Sequence, residues 1–308
     1  MRKSYIIGRS LCVALVAGVL GLGTALADQG GTPNGNANGN PNGNPNGNPN
    51  GNGGDDSEGN NSCVGLPDWS ALEVALDAAT TTEASGLNNQ MWATIVDRDG
   101  VVCAVAFSGS NRGAQWPGSR AISAQKANTA NAFSLDSSSS PDNASGQASG
   151  LALSTANLYS AVQPGGSLFG LQFSNPVNPS VAYKGPSILY GTGNDPMVGR
   201  KIGGVNVFGG GLGLYATGKK LIGGVGVSGD TSCSDHYIAW RVRNLLGLDH
   251  LMGVGGVSGD AAHPDNIIFD IAPNVNGGTG ISAGGFGHPH CTVGAGDTPT
   301  TPLPAVQP

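Results

Sequence analysis

Residues 119–133 and 221–239 constrain the fold of this chain most strongly. The first segment, SRAISAQKANTANAF, is typical of a helix whose packing face carries small residues. The second begins with the apolar run Leu221–Val227, which predicts a strand, and continues through a glycine turn. A helix is predicted from Asp235 to Leu246, with Ile238, Val242 and Leu245 on one face. The two segments therefore indicate a mixed α and β domain.

The start of the domain follows the same mixed pattern. Apolar residues recur at helical spacing after Asp68, which predicts a helix with Asp68 as its N-cap. Residues 91–96 and 101–107 predict two strands, joined by the hairpin turn Asp97-Arg98-Asp99-Gly100. Strands that follow one another through short turns indicate an antiparallel sheet.

The second half of the domain contains less regular segments. Residues 151–161 predict a short helix, and residues 204–208 and 212–215 predict short strands. Residues 163–202 are rich in Gly, Pro and Asn without a clean period, and we interpret them as an irregular insertion. The expected fold class is thus α+β, an antiparallel sheet flanked by helices and interrupted by this insertion.

The N-terminal residues 1–27 predict a signal peptide. A basic start with Arg2, Lys3 and Arg9 precedes the apolar stretch 11–22, and Ala25-Leu26-Ala27 fits a small-residue cleavage site. We therefore expect an exported protein, periplasmic or secreted, whose mature chain begins at Asp28. An uncleaved anchor is the alternative.

Two further segments have compositions that disfavour a packed core. Residues 28–62 are dominated by Asn, Gly and Pro repeats, which predicts a disordered linker, with a surface-binding role as the alternative. Residues 295–308 are rich in Pro and Thr and predict a disordered tail. The folded domain is expected to span residues 63–294.

The charge of the mature chain excludes one class of partner. Removal of residues 1–27 takes away three of the 14 basic residues and none of the 20 acidic ones, which leaves a net charge of −9. Nucleic acid is therefore not an expected partner, because phosphates require clustered Lys and Arg. No second apolar run approaches the about 20 residues that cross a bilayer, so membrane insertion after cleavage is not expected.

Four cysteines remain in the mature chain: Cys63, Cys103, Cys233 and Cys291. An even number in an exported chain indicates two disulfides, and three pairings are open. We favour Cys63–Cys103 with Cys233–Cys291, because each bond would tie an irregular segment to a core element. The Cys-x-x-Cys-His motif of covalent haem attachment is absent from the sequence.

Several short motifs follow one another between residues 67 and 249. They are Asp97-Arg98-Asp99-Gly100, Ser119 with Lys126-Ala127-Asn128-Thr129-Ala130, Gly203-Gly204, the Gly224–Gly229 turn, and the helix start at Asp235. In this combination the chain resembles the GlcG/HbpS haem-binding family. The resemblance implies a profilin-like α+β fold, a homo-oligomer, and non-covalent binding of haem or a related tetrapyrrole. Storage, sensing and slow degradation of haem are the open roles.

The resemblance also implies where the ligand would bind. The groove would involve the 119–135 helix and the 224–236 turn, and the expected cofactor-binding residues are Ser119, Lys126, Thr129, Gly226, Ser228, Gly229 and His236. Lys126 could reach a propionate, or it could extend along the domain surface. For Ser119, a cap of its helix is the favoured role.

The glycine turn allows three interpretations. Gly224-Val-Gly226-Val-Ser-Gly229 matches a dinucleotide-binding pattern, but the second parallel strand that such a unit needs is missing from the sequence that follows. Glycines also permit a tight strand-to-helix turn. In the third interpretation, backbone N–H groups at the start of the helix hold a carboxylate such as a haem propionate.

Three histidines are candidate metal or iron ligands: His236, His288 and His290. His236 lies just after the glycine turn, and a Cys233–Cys291 bond would bring the His288-Pro289-His290 segment near it. The alternative is that the three histidines are structural or lie in a surface loop.

One motif departs from the family pattern. In place of Arg-x-Asp-Gly-Ala, this chain has Ser110-Asn111-Arg112-Gly113-Ala114, so the arginine is displaced and the aspartate is absent. This change favours an alternative function, in which an enzyme or binding module takes a small carboxylated or redox-active molecule in the same pocket. An interaction module without chemistry is a third possibility.

Overall fold

The computed structural model describes residues 63–136, 149–278, 280–291 and 296–308. The predicted signal peptide and the 28–62 linker lie outside the described residues, and both stay predictions. Three long helices and four long strands form the framework: α1 Trp69–Thr82, β1 Trp92–Asp97, β2 Val102–Phe107, α2 Ser119–Phe133, β4 Gly211–Ala216, β5 Lys220–Ser228 and α6 Ser232–Leu245. The shorter elements are β3 Leu151–Ala152, α3 Leu158–Ala161, α4 Leu171–Ser174, α5 Pro179–Ala182, β6 Gly255–Gly256, β7 Ile271–Ala272 and β8 Ile281–Ser282.

The four long strands form one antiparallel sheet in the order β2-β1-β5-β4. The β1–β2 hairpin turns at Asp97, whose side chain accepts hydrogen bonds from the backbone N–H groups of Asp99 and Val101. Helices α1 and α6 pack on one face of the sheet and α2 packs on the other. The predicted α+β class, an antiparallel sheet flanked by helices, is confirmed.

The two faces differ because side chains alternate along each strand. Val225 and Val227 of β5 belong to the same apolar core as Leu76 of α1 and Ile238 of α6. On the opposite face, a Cβ at Gly226 would lie 2.0 Å from the Ser123 carbonyl oxygen of α2. Glycine is therefore required where α2 crosses β5.

Of two predicted helix N-caps, one is confirmed and one is wrong. Asp68 accepts a hydrogen bond from the Ala71 N–H, so its predicted role as N-cap of α1 is confirmed. Ser119 was also expected to cap its helix, and this is wrong. Gly118 occupies the cap position of α2 without a side-chain bond, and Ser119 is the first, buried residue of the helix.

Two segments take a different secondary structure from the predicted one. Residues 204–208 were expected to form a strand, but the backbone N–H of Asn206 donates to the Thr129 hydroxyl instead of to a neighbouring strand. Residues 151–161 begin as β3, which pairs with β6, and become helical only at Leu158. In both places, tertiary hydrogen bonds outweigh the local sequence preference.

The C-terminal segment corrects the expectation of a disordered tail for 295–308. Residues 296–308 pack against the domain, and Val306 is buried. The indole Nε1 of Trp240 donates to the Pro304 carbonyl at 2.9 Å, and the Arg241 guanidinium donates to the Thr301 carbonyl at 2.7 Å. A Pro/Thr-rich segment becomes ordered here because α6 donates to its carbonyl groups.

Both favoured disulfides, Cys63–Cys103 and Cys233–Cys291, are present. The first joins the start of the domain to β2, and the second joins the first turn of α6 to the segment after β8. Each bond therefore ties an irregular segment to a core element, as expected from the sequence.

The 163–202 insertion is part of the core on the α2 side of the sheet. Val181, Ala182 and Met197 pack with Trp92 and Ala124. The Arg120 guanidinium of α2 forms a buried ion pair with Asp195 of the insertion.

Among the helices of the described ranges, none has the length and apolar character needed to cross a membrane.

Candidate functional site

Lys126 and Asp235 form the centre of the predicted site. The Lys126 Nζ lies 2.6 Å from Asp235 Oδ2 and donates to the Val227 carbonyl at 3.1 Å, and both side chains are almost completely buried. The Phe208 ring covers the ammonium group at 4.2 Å. Lys126 therefore does not extend along the surface, so that interpretation is wrong. It faces no open groove in this conformation, and its contact with a ligand stays a prediction.

Burial dominates the electrostatics of this ion pair. Loss of solvation lowers the pKa of Lys126, and Asp235 opposes that shift. Loss of solvation also raises the pKa of the Asp235 carboxyl to about 6, against the opposing effect of Lys126. The pair stabilises itself and offers no free charge to an incoming ligand.

The glycine turn does hold a carboxylate, but the carboxylate belongs to the chain. The backbone N–H groups of Gly229 and Asp230 donate to Asp235 Oδ1 at 3.1 and 2.9 Å. Ser228 is buried, and a Cβ at Gly229 would lie 2.4 Å from the Gln90 carbonyl. The anion-binding geometry expected at this turn is thus occupied by Asp235 itself.

The segment before β4 closes the groove on the α2 side. The Thr129 hydroxyl donates to the Gln125 carbonyl and accepts from Asn206, so Thr129 anchors this segment to α2. A Cβ at Gly210 would lie 2.3 Å from the Val227 carbonyl. The helix-and-turn groove expected to bind haem is therefore filled by residues 204–211.

The three candidate histidines have separate partners. His236 is fully buried, and its Nε2 lies 3.1 Å from Asn266 Oδ1 and accepts from the Ile267 N–H. The Nδ1 of His236 has no partner among the described residues. Burial lowers the pKa of His236 to about 4.

His288 and His290 are likewise engaged elsewhere. His288 accepts from the Ser232 hydroxyl at its Nε2, 2.5 Å away, and its Nδ1 donates to the Pro289 carbonyl. His290 pairs with Asp297 at 2.5 Å. His288 does lie near Cys233 and Cys291, but their sulfur atoms are joined in a disulfide and are not thiolate ligands. The expected three-histidine metal or haem site is not assembled in the described structure.

These contacts test whether the expected residues fit a haem group. Lys126 is neutralised by Asp235, the turn N–H groups are used, and the glycines are packed against backbone. Cavities of 340, 470, 540 and 770 Å³ in the described part of the chain have none of the seven expected cofactor-binding residues in their walls. In this conformation the helix-and-turn residues do not fit haem.

An open cavity of 540 Å³ lies at the altered 110–114 turn instead. Its walls include the aromatic side chains of Trp69, Phe107 and Tyr190, together with Arg112 and Glu73. The only sequence signal for this cavity was the change from the family motif Arg-x-Asp-Gly-Ala at Ser110–Ala114. The contributions of Trp69 and Tyr190 could not be read from the sequence, because they come from α1 and from the unplaced insertion.

Comparison with known proteins identifies the family. The family model described as haem degrading protein HbpS-like matches residues 69–243, from the start of α1 to near the end of α6. Among solved structures, Klebsiella pneumoniae protein ORFY is 23% identical with a TM-score of 0.37, covering 59% of this chain and 90% of that chain.

A second solved structure, the PduOC:heme complex, is 23% identical with a TM-score of 0.36, covering 58% of this chain and 91% of that chain. No curated protein matches the sequence. The family model spans more than half of the sequence and contains all four long strands. The chain therefore belongs to the HbpS-like family of haem-degrading proteins.

Proposed function

We propose that this protein is an exported haem-binding protein of the HbpS-like type, which holds haem or a related tetrapyrrole non-covalently. The observation that carries the proposal is the family match over residues 69–243. The sequence lacks a Cys-x-x-Cys-His motif, and the four mature cysteines are paired in disulfides, which agrees with non-covalent binding.

The helix-and-turn residues have a structural role in this proposal. Lys126, Asp235 and the Gly229 N–H hold α2, β5 and α6 together. His236 and His288 are held inside the domain by Asn266 and Ser232. We therefore assign no axial ligand and derive no step of haem chemistry from these residues.

A haemin titration of the chain beginning at Asp28 tests the proposal. We expect a saturable Soret band, shifted to the red of free haemin. The same band should persist in His236→Ala and in the double variant His288→Ala with His290→Ala, provided that circular dichroism shows them folded. A spectrum that stays identical to free haemin at every ratio would refute haem binding.

The second candidate function is binding of a small carboxylated molecule. The cavity beside the altered turn favours it, since Arg112 lies in the wall together with three aromatic rings. Calorimetric titration with small aromatic acids separates this function from haem binding, because it does not depend on iron or on a tetrapyrrole.

Export and self-association complete the proposal. Export rests on the basic start, the apolar stretch and the Ala25-Leu26-Ala27 site, and N-terminal sequencing of the exported protein should begin at Asp28. A homo-oligomer rests on the family resemblance. It is compatible with an apolar groove beside α1, near which Val74 and Leu245 are exposed. Light scattering at several concentrations measures the oligomeric mass, and a monomer at all of them would contradict this part.

A further inference from the structure

The cavity at the altered turn has the size and position of a ligand site. It lies between the start of α1, the loop at 109–112 and the insertion segment 187–192, and its volume of 540 Å³ falls within the range of about 300–1,000 Å³ typical of small-molecule pockets. The aromatic side chains of Trp69, Phe107 and Tyr190 pack against the core clusters but stay partly exposed, so they offer apolar surface to a ligand.

The aromatic walls of the cavity are held in place before any ligand arrives. The Trp69 indole donates to the Gly191 carbonyl at 2.9 Å, which joins α1 to the insertion. Phe107 stacks on Trp92 with ring centroids 4.4 Å apart. The Arg120 guanidinium lies 3.7 Å from the Tyr190 ring centroid, and Arg120 is fixed by Asp195. Three flat apolar surfaces are therefore preorganised, which reduces the entropy lost on binding.

Two charged side chains in the cavity wall, Arg112 and Glu73, differ in sign and in exposure. Arg112 is exposed, and within the described ranges it forms no ion pair. Glu73, in the same wall, is partly buried, and its pKa is raised by loss of solvation and by Asp77. A free guanidinium suits a carboxylate, since it can donate two parallel hydrogen bonds. Glu73 opposes an anion whenever it is ionised.

We propose that this cavity binds a flat, conjugated carboxylate, with its carboxylate on Arg112 and its apolar body against Trp69, Phe107 and Tyr190. Such a ligand could be a tetrapyrrole, in which case the inference rests on the proposed function, or a smaller aromatic acid, in which case it does not. The lining offers no His, Cys or Met side chain, so recognition is through the carboxylate and the flat face.

Calorimetric titration of the chain beginning at Asp28 tests the proposal with three ligands: haemin, metal-free protoporphyrin IX and indole-3-acetate. Arg112→Ala should weaken binding about fivefold to tenfold, and Arg112→Lys should restore part of the loss. Glu73→Gln should strengthen binding about twofold to fivefold, because it removes a like charge. Arg200→Ala, at an exposed arginine outside the cavity wall, is the matched control and should change nothing.

The outcomes separate the cavity from the family function. Opposite effects of Arg112→Ala and Glu73→Gln on any of the three ligands support the cavity. If indole-3-acetate alone binds and shows them, the cavity stands and haem binding fails. If haemin binds and both variants match the wild type with every ligand that binds, haem binding stands and the cavity assignment is overturned. If none of the three ligands binds, both proposals are overturned.

Discussion

The Lys126–Asp235 pair shows how a single contact decides whether a region is a binding site or a part of the core. Lys126 has the residue type expected of a contact with an anionic ligand, and Asp235 lies in the turn region expected to bind it. Their 2.6 Å separation and burial instead make each the counter-charge of the other. Removing one member of a buried pair leaves an uncompensated charge, which costs far more than the pair itself contributes.

Lys126→Met should therefore destabilise the protein strongly. With Lys126 gone, the Asp235 carboxyl keeps only hydrogen-bond donors such as the Gly229 and Asp230 N–H groups. We expect a loss of about 3–5 kcal/mol in the free energy of unfolding, measured by urea denaturation at pH 7. Adding Asp235→Asn to this variant should recover part of the loss, since the buried charge is then removed. Equal stability of the wild type and Lys126→Met would contradict the buried pair.

The buried histidines predict a loss of stability in acid. Burial lowers the pKa of His288 from 6.5 to about 4, so the folded state stays neutral while the unfolded state binds a proton. The contribution of neutral His288 to the unfolding free energy should therefore be fully present above pH 6.5 and should decrease as the pH falls to 4.

The variant His288→Gln isolates this effect. Between pH 7.5 and pH 4, the unfolding free energy should decrease less in the variant than in the wild type, by about 2–3 kcal/mol. Titrations common to both proteins, such as that of Asp235, cancel in the comparison. An unchanged pH dependence in the variant would show that His288 titrates normally in the folded state.

At the residue scale, the sequence predicted residue types better than it predicted partners. Of the three open cysteine pairings, the favoured one is present, in which each bond joins an irregular segment to a core element. The partner of Lys126 lies 109 positions away, and nothing in either local pattern measures that distance. One of the three interpretations of the glycine turn had its N–H groups holding a ligand carboxylate, and in the structure they hold that of Asp235.

At the level of the secondary-structure elements, the close contact of α2 with β5 requires a residue without a side chain at Gly226 of β5. A Cβ on Gly226 would lie 2.0 Å from the Ser123 carbonyl and 2.4 Å from the Ala127 nitrogen. Backbone atoms on both sides cannot move independently, so an added methyl group must push α2 away from the sheet.

Gly226→Ala should accordingly cost about 1–3 kcal/mol or more of unfolding free energy. Gly118→Ala is the matched control, because a Cβ there has no atom within 4 Å and its φ of −65° suits alanine. Thermal denaturation of the two variants should lower the Tm only for Gly226→Ala. Equal Tm values would contradict the close contact of α2 with β5.

Elements with a strong period were predicted well, and segments fixed by tertiary contacts were not. The helices α1 and α6 and the β1–β2 hairpin follow apolar spacing and turn residues. Residues 204–208 and 296–308 have no period of their own. Thr129 bonds the backbone of the first, and Trp240 bonds that of the second.

The C-terminal segment is predicted to contribute stability, in contrast to the N-terminal linker. Deletion of residues 296–308 removes the buried Val306 and the carbonyl partners of Trp240 and Arg241. We expect a loss of at least about 2 kcal/mol, which corresponds to a Tm decrease of about 4–8 °C. Deletion of residues 28–62 should leave the Tm unchanged, because the segment carries almost no apolar surface. Equal effects of the two deletions would contradict the packing of the tail.

For the whole molecule, segments outside the four-stranded sheet determine which surfaces are accessible. Residues 204–211 and the C-terminal part of the chain cover the helix-and-turn region. The 187–192 segment of the insertion forms one wall of the open cavity. The fold class follows from the sequence, whereas the position of an accessible cavity depends on these segments.

A crystal structure of the chain beginning at Asp28, grown with haemin, would show where the tetrapyrrole binds. We expect density for the tetrapyrrole in the cavity beside Trp69, Tyr190 and Arg112, with the Lys126–Asp235 pair intact. Density beside Lys126 or His236, with Phe208 displaced from Lys126, would instead place the ligand in the helix-and-turn region and overturn the cavity assignment.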